Sequence, residues 1–224
     1  MIRKLCVAGC SVSDYTDVDL PYGEILATDL GVDYLHEGAG AGSNFRIWRR
    51  ITNHILDKTI TEEDVVVIQY TEIVRNEFWS ALPDPGPKYT APPADLSHDG
   101  GRVIRWKPAA HTWQPHDEEK QFLKEFEQYF VSPRFSEEEF RVNNYNFQQM
   151  LKNHKIRTIF LNTTRSNLIS NYVIDYFQPS QISEDTHGDP KYNLRENDTC
   201  HFSEFGHRYM ANELKSHIEK LGWI

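Results

Sequence analysis

What this chain has little of narrows it first. No apolar stretch approaches the ~18 residues that cross a bilayer, so no membrane span is expected. Cysteine is scarce: there are three, Cys6, Cys10 and Cys200. The odd count, with two of them in or beside one apolar run, argues against a disulfide framework and for a reducing compartment. Val7-Ala8-Gly9-Cys10 has the outline of a lipoprotein cleavage site. The apolar run before it is only a few residues, short of the ~7–15 of a signal peptide. Starting at Met1 with no leader pattern, the chain reads as cytoplasmic. Basic charge is outweighed: 24 Lys and Arg against 33 Asp and Glu leave a net charge of −9. A nucleic-acid-binding module would carry a basic stripe, so that class is set aside. No internal repeat is visible. What remains is 224 residues, 39% hydrophobic and 12% aromatic, enough to fill one large core. The expectation is a single domain over 1–224, with an insert at about 81–117.

The pattern along the chain alternates. Ile2–Ala8 is a short apolar run ending at Gly9, which reads as a buried strand. Leu20–Leu30 has apolar residues at helical spacing, with Gly31 as a stop. Val32–Leu35 is a second short strand, followed by the glycine-rich segment Glu37–Asn44 and a helix over Phe45–Leu56 with Phe45, Ile47, Trp48, Ile51 and Ile55 on its buried side. Asp64–Tyr70 is the clearest strand, β-branched nearly throughout. Residues 81–117 hold most of the eleven prolines, with Trp106, Trp113 and three histidines. That is too aromatic for a free linker. Two helical stretches follow, about 117–130 and 136–153, then a strand over Ile156–Leu161. Residues 163–200 are mixed. A last helix runs from Ser203 to about Lys220, with Phe205, Tyr209, Leu214 and Ile218 inward and His207 at the surface. Strands alternating with helices predict a parallel sheet covered on both faces, an α/β three-layer sandwich. Ligands of such sheets sit at the carboxyl ends of the strands. Ser11, the glycine-rich segment and Thr71 each follow a strand, so all three should share one edge.

Two motifs carry chemistry. Gly9-Cys10-Ser11 puts a serine at the end of the first strand, where a glycine lets the backbone turn sharply. Asp198-Thr-Cys-His201 stands just before the last helix. A serine hydroxyl is a weak nucleophile until an imidazole takes its proton, and the imidazole needs a carboxylate to fix its tautomer. Three-residue spacing in a turn lets Asp198 reach His201 Nδ1 while Nε2 faces Ser11. Cys10 is a rival nucleophile, but alternation along the strand points it away from Ser11. A small buried side chain is the expectation for it. His187 is either a bystander or a substrate contact.

Together these segments resemble the SGNH, or GDSL-like, hydrolases: small α/β esterases with the serine near the N-terminus and Asp-x-x-His near the C-terminus. The similarity runs in order along the chain, with the specific match confined to roughly thirty residues. It departs from the family pattern in two places. Cys10 replaces the Asp of Gly-Asp-Ser, and Gln69-Tyr70-Thr71-Glu72 stands where the family has Gly-x-Asn-Asp. The resemblance implies a flavodoxin-like fold and a Ser11–His201–Asp198 triad acting on small acyl or O-acetyl esters, carbohydrate esters among them. It implies no metal and no organic cofactor. Oxyanion donors would be the Ser11 N–H, the Gly42 N–H and, at the family's Asn position, the Thr71 hydroxyl. Arg75 or Asn76 could supplement Thr71, whose side chain is shorter than Asn. Asn44 reads as an N-cap or first-turn residue with a supporting role at a substrate site. Trp106 and Trp113 either stack on a sugar ring or pack the insert. Two other readings stay open: an acyltransferase with the same triad, and a non-catalytic glycan-binding or structural protein on this fold. Oligomeric state is left open.

Overall fold

The computed structural model describes residues 2–15, 18–40, 42–80, 102–106, 117–130, 132–162, 176–177 and 202–224. Its centre is a parallel sheet. Strand β1 (Lys4–Gly9) lies between β2 (Asp33–Gly38) and β3 (Val65–Tyr70). Beyond β3, two further strands of this sheet come later in the chain, Arg157–Asn162 and the short Tyr176–Phe177, both parallel. All six residues of β3 are buried, as a central strand covered on both faces requires.

Side-chain alternation divides the core in two. On one face Leu5, Val7, Val65, Val67, Ile159 and Leu161 pack with α1 (Tyr22–Leu30) and the last helix of the chain, Glu204–Lys220. On the other, Cys6, Ala8, Val66, Ile68 and Tyr70 pack with α2 (Asn44–Leu56) and the long helix Pro133–Asn153. Each fully buried Val, Leu or Ile contributes about 1.5–3 kcal/mol relative to exposure, so these two clusters hold the layers together.

Helix boundaries follow local chemistry. Gly31, in the left-handed region at φ 65°, closes α1, with its N–H on Thr28 O and that of Val32 on Ala27 O. Ser43 caps α2 by accepting the Arg46 N–H at 3.1 Å. Ser132 does the same for the long helix, accepting the Phe135 N–H, with Pro133 in its first turn. Ser203 caps the last helix through the Gly206 N–H.

Four expectations are corrected. The excursion after β3 begins with a hairpin: β4 (Asn76–Ser80) pairs antiparallel with β5 (Arg102–Trp106), Asn76 opposite Trp106. Helix α3 (Asp117–Phe130) follows it. Helix α4, Pro133–Asn153, starts three residues earlier than its apolar spacing suggested, at its serine cap. Phe45 on α2 is 45% exposed rather than inward. In the last helix, α5 (Glu204–Lys220), Leu214 and Ile218 are inward as expected, but in its first turns Phe205 is exposed and Tyr209 half-buried, while His207, Met210 and Ala211 are buried. The later sheet strands are β6 (Arg157–Asn162) and β7 (Tyr176–Phe177), giving the order β2-β1-β3-β6-β7. Among the described residues no helix is long and apolar enough to cross a membrane.

The strand order fixes where a ligand can sit. From β1 the chain steps outward to β2, then returns across β1 to β3. The reversal opens a crevice at the carboxyl ends of β1 and β3. Ser11 follows one of these strands directly and Thr71 the other.

Candidate active site

The Ser11 turn is built on Gly9. A Cβ there would fall 2.6 Å from Gln69 Oε1 and closer still to Ser13 Oγ, so no larger residue fits. Cys10 is extended, and Ser11–Ser13 make one tight helical turn with the Ser13 N–H on Cys10 O at 3.0 Å. Cys10 and Val12 are buried on either side of a half-buried Ser11. The Cys10 sulfur accepts from Gln69 Nε2 at 3.4 Å, which holds it inward.

Ser13 anchors the turn from beneath. Its hydroxyl donates to Gln69 Oε1 and accepts from the Tyr22 hydroxyl at 2.8 Å. The Tyr22 backbone N–H in turn donates to His207 Nδ1 at 3.1 Å, and the two rings stack with centroids 6.0 Å apart. His207 is therefore a core residue, 2% exposed, and the surface position expected for it is wrong. Its buried nitrogen finds a donor, which is what makes the burial tolerable. Periodicity and motif spacing do not single out Gln69, Tyr22 or His207 for the site. A glutamine inside an otherwise apolar central strand was the one available signal.

The glycine-rich segment lies against this turn. Ala39 N–H donates to Gly9 O at 3.1 Å, and Gly40 N–H to Asp14 Oδ2 at 2.8 Å. A Cβ on Gly38 would strike the Ser13 carbonyl. Gly42 N–H donates to Ala39 O at 2.9 Å, so that bond must be shared or exchanged if the same N–H is to reach an oxyanion. Asn44, the first residue of α2, clamps Thr71 through both main-chain groups: Nδ2 to Thr71 O at 3.0 Å, and Thr71 N–H to Oδ1 at 2.9 Å. The Asn44 amide thus ties the glycine segment to the end of β3. Thr71 is buried, and among the described residues its hydroxyl has no hydrogen-bond partner.

Behind the segment sits an ion network. Glu37, with its side chain 4% exposed, takes a fork from Arg50 at 2.6 and 2.8 Å and has His54 Nε2 at 2.6 Å. Arg46 donates to the Glu37 main-chain oxygen at 2.8 Å. Burial alone would raise the Glu37 carboxyl; the hydrogen bonds of His54 and Arg50, with the charges of Arg50 and Arg46, bring it down to about 2.

Arg75 turns to Glu72, its Nε 3.1 Å from Oε2. With Asn44, Trp48 and Phe140 it lines a small cleft between α2 and α4. Trp106 ends β5, opposite Asn76 at the start of β4. Asp198, His201, His187 and Trp113 lie outside the described residues. The residue after His201, however, is placed. Phe202 is 4% exposed, sits edge-on to His207, and belongs to the same buried cluster as Cys10, Val12 and Tyr22.

His36 is the described histidine that invites comparison as a base, because Asp14 is beside it. Both its ring nitrogens are engaged, Nε2 by Asp14 at 3.2 Å and Nδ1 by the Tyr34 hydroxyl at 3.1 Å, leaving none for Ser11. Among the described residues no group of three or more His, Cys, Asp or Glu is arranged to hold a metal ion.

No protein-family model matches the chain, and no curated protein does. Solved structures do. A GDSL-like lipase from Bacteroides thetaiotaomicron superposes with a TM-score of 0.52 at 12% identity, over 98% of this chain and 89% of that one. An acetyl xylan esterase gives 0.52 at 12% identity over 96% and 99%. A member of the lipolytic G-D-S-L family from Veillonella parvula gives 0.53 at 10% identity over 97% and 99%. At such identities the likeness is one of fold. The chain has the α/β three-layer fold of the GDSL-like hydrolases.

Proposed function

We propose that this protein is a serine ester hydrolase of the SGNH type, one domain over 1–224 carrying an insert after β3. Ser11 Oγ attacks the ester carbonyl and its proton passes to His201 Nε2, while Asp198 holds Nδ1. The tetrahedral oxyanion is received by the N–H groups of Ser11 and Gly42 and the hydroxyl of Thr71. Collapse expels the alcohol, which takes the proton from His201. Water then attacks the acyl-serine by the same route in reverse, releasing the acid. No metal or organic cofactor enters these steps. Small acyl or O-acetyl esters, carbohydrate esters included, are the substrate class.

The observation that carries this reading is the convergence at one sheet edge. The half-buried Ser11 turn, the glycine segment and Thr71 meet at the crevice between β1 and β3, and Phe202, next in chain to His201, is rooted in the cluster beneath the turn. The fold shared with GDSL-like lipases and an acetyl xylan esterase supports it. One observation favours a second reading, a non-catalytic glycan-binding or structural protein: the Gly42 N–H is spent on Ala39 O, and Thr71 replaces an amide donor. An acyltransferase would differ only in the acceptor alcohol and is told apart by product analysis.

The test is labelling with a fluorophosphonate and turnover of p-nitrophenyl esters of graded chain length. Wild-type protein should label and hydrolyse. Ser11→Ala should do neither while keeping its melting temperature within a few degrees. Activity that survives Ser11→Ala and dies with Cys10→Ala would reverse the assignment of the nucleophile.

A further inference from the structure

Asp14 stands three residues past Ser11, where the helical turn opens into extended backbone at φ −108° and ψ 165°. Its carboxylate reaches in three directions. Oδ1 accepts the Tyr15 N–H at 2.8 Å and faces His36 Nε2 at 3.2 Å; Oδ2 accepts the Gly40 N–H at 2.8 Å. His36 is itself held by the Tyr34 hydroxyl and by the edge of the Tyr15 ring, centroids 4.7 Å apart. The Tyr15 hydroxyl is fixed on Glu24 at 2.5 Å. The Asp14 and His36 side chains are 17% and 24% exposed, so this is a partly dry cluster in which such bonds hold against water.

Gly40 is the middle of the segment from Gly38 to Gly42. The preceding residue, Ala39, is pinned to the end of β1 through Gly9 O. Asp14 supplies the second pin, and it pins the segment to the Ser11 turn rather than to the sheet. A carboxylate accepting a backbone N–H makes a bond about twice as strong as a neutral one. We propose that Asp14 is a positioning residue: by holding the Gly40 N–H it sets the spacing between Ser11 and the loop that supplies the oxyanion donor, with His36 fixing the carboxylate in that orientation. This rests on the ester-hydrolase reading. Asp14 touches no reacting atom and no proton moves through it. Its effect comes from geometry, where a displacement of about 1 Å costs on the order of 10²-fold in rate.

The experiment pairs kinetics with amide exchange. Asp14→Ala should lower kcat for p-nitrophenyl acetate by about 10²-fold and leave KM within about threefold, since ester binding does not use this contact. Rates are divided by the fraction that fluorophosphonate labels at completion, which removes any loss through unfolding. Asp14→Asn should fall between. Its amide must present nitrogen to either Tyr15 or Gly40, both donors, so one of the two bonds is lost. In parallel, the Gly40 amide should exchange slowly in wild type and quickly in Asp14→Ala. Unchanged kcat in Asp14→Ala, a loss that vanishes after correction for labelled fraction, or fast Gly40 exchange in wild type would each overturn the proposal. Wild-type protein that neither labels nor hydrolyses would instead overturn the ester-hydrolase reading, with Gly40 exchange still deciding whether Asp14 holds the loop.

Discussion

Thr71 is held by its backbone, and among the described residues no partner takes its hydroxyl. Asn44 takes both its N–H and its carbonyl, so the position of the residue does not depend on what the hydroxyl does. That separation makes it a clean site for measuring an oxyanion donor. Valine keeps the shape of threonine and removes only the hydroxyl, for which the described residues offer no partner. Thr71→Val should therefore leave the melting temperature unchanged or slightly raised. It should reduce kcat by about 10–10²-fold, less than the 10²–10³ seen when a well-placed amide donor is deleted, because a rotating hydroxyl is the weaker donor to begin with. Unchanged kcat would mean that main-chain groups alone hold the oxyanion.

At the scale of elements, β2 and α2 are joined by charge as well as by packing. Glu37 on β2 is buried among Arg46, Arg50 and His54 of α2, and its carboxyl lies near 2 against an ordinary 4.5. A carboxyl lowered in the folded state contributes stability that is present above pH 4.5 and is lost as the pH falls toward 2. Between pH 7 and pH 3 this amounts to about 2 kcal/mol. Urea unfolding at the two pH values should show wild type losing about that much more than Glu37→Gln. Parallel losses would show that the network does not hold Glu37 ionised. Elements whose partners are near in sequence, or whose apolar pattern is continuous, were legible beforehand: β1, β3 and β6, the α1 stop at Gly31, and the shared edge of Ser11 and Thr71. The buried face of the first turns of α5 was not. Phe205 and Tyr209 look like core residues, yet the buried stripe runs through His207, whose burial depends on an N–H donor 185 residues away. The β4–β5 hairpin was hidden by the proline-rich, aromatic composition around it. The links from Ser13 to Gln69 and from Asp14 to Gly40 join segments that single-sequence periodicity treats as independent.

Across the whole molecule, the hairpin leaves the sheet at the edge where Ser11 and Thr71 sit. Only four residues lie between Thr71 and Asn76, and β5 returns so that Trp106 lies opposite Asn76. The stem is therefore tethered beside the crevice whatever the residues at its far end do. The ladder also shows how to test what they do there. Ser80 pairs with Arg102, so the two strands are already as close as hairpin strands are, and a two-residue Asn-Gly turn can replace residues 81–101 without moving either. Loop trimming of this kind changes closure entropy by only about 1–2 kcal/mol. The shortened chain should fold with a melting temperature within several degrees of wild type. If residues 81–101 help set which ester fits, its relative rates on acetyl, butyryl and octanoyl p-nitrophenyl esters should shift by about tenfold or more, toward the longer chains. Trp106→Ala in the full-length chain should move the same ratios in the same direction. A trimmed protein that folds and keeps the wild-type ranking would show that residues 81–101 do not set the choice of substrate.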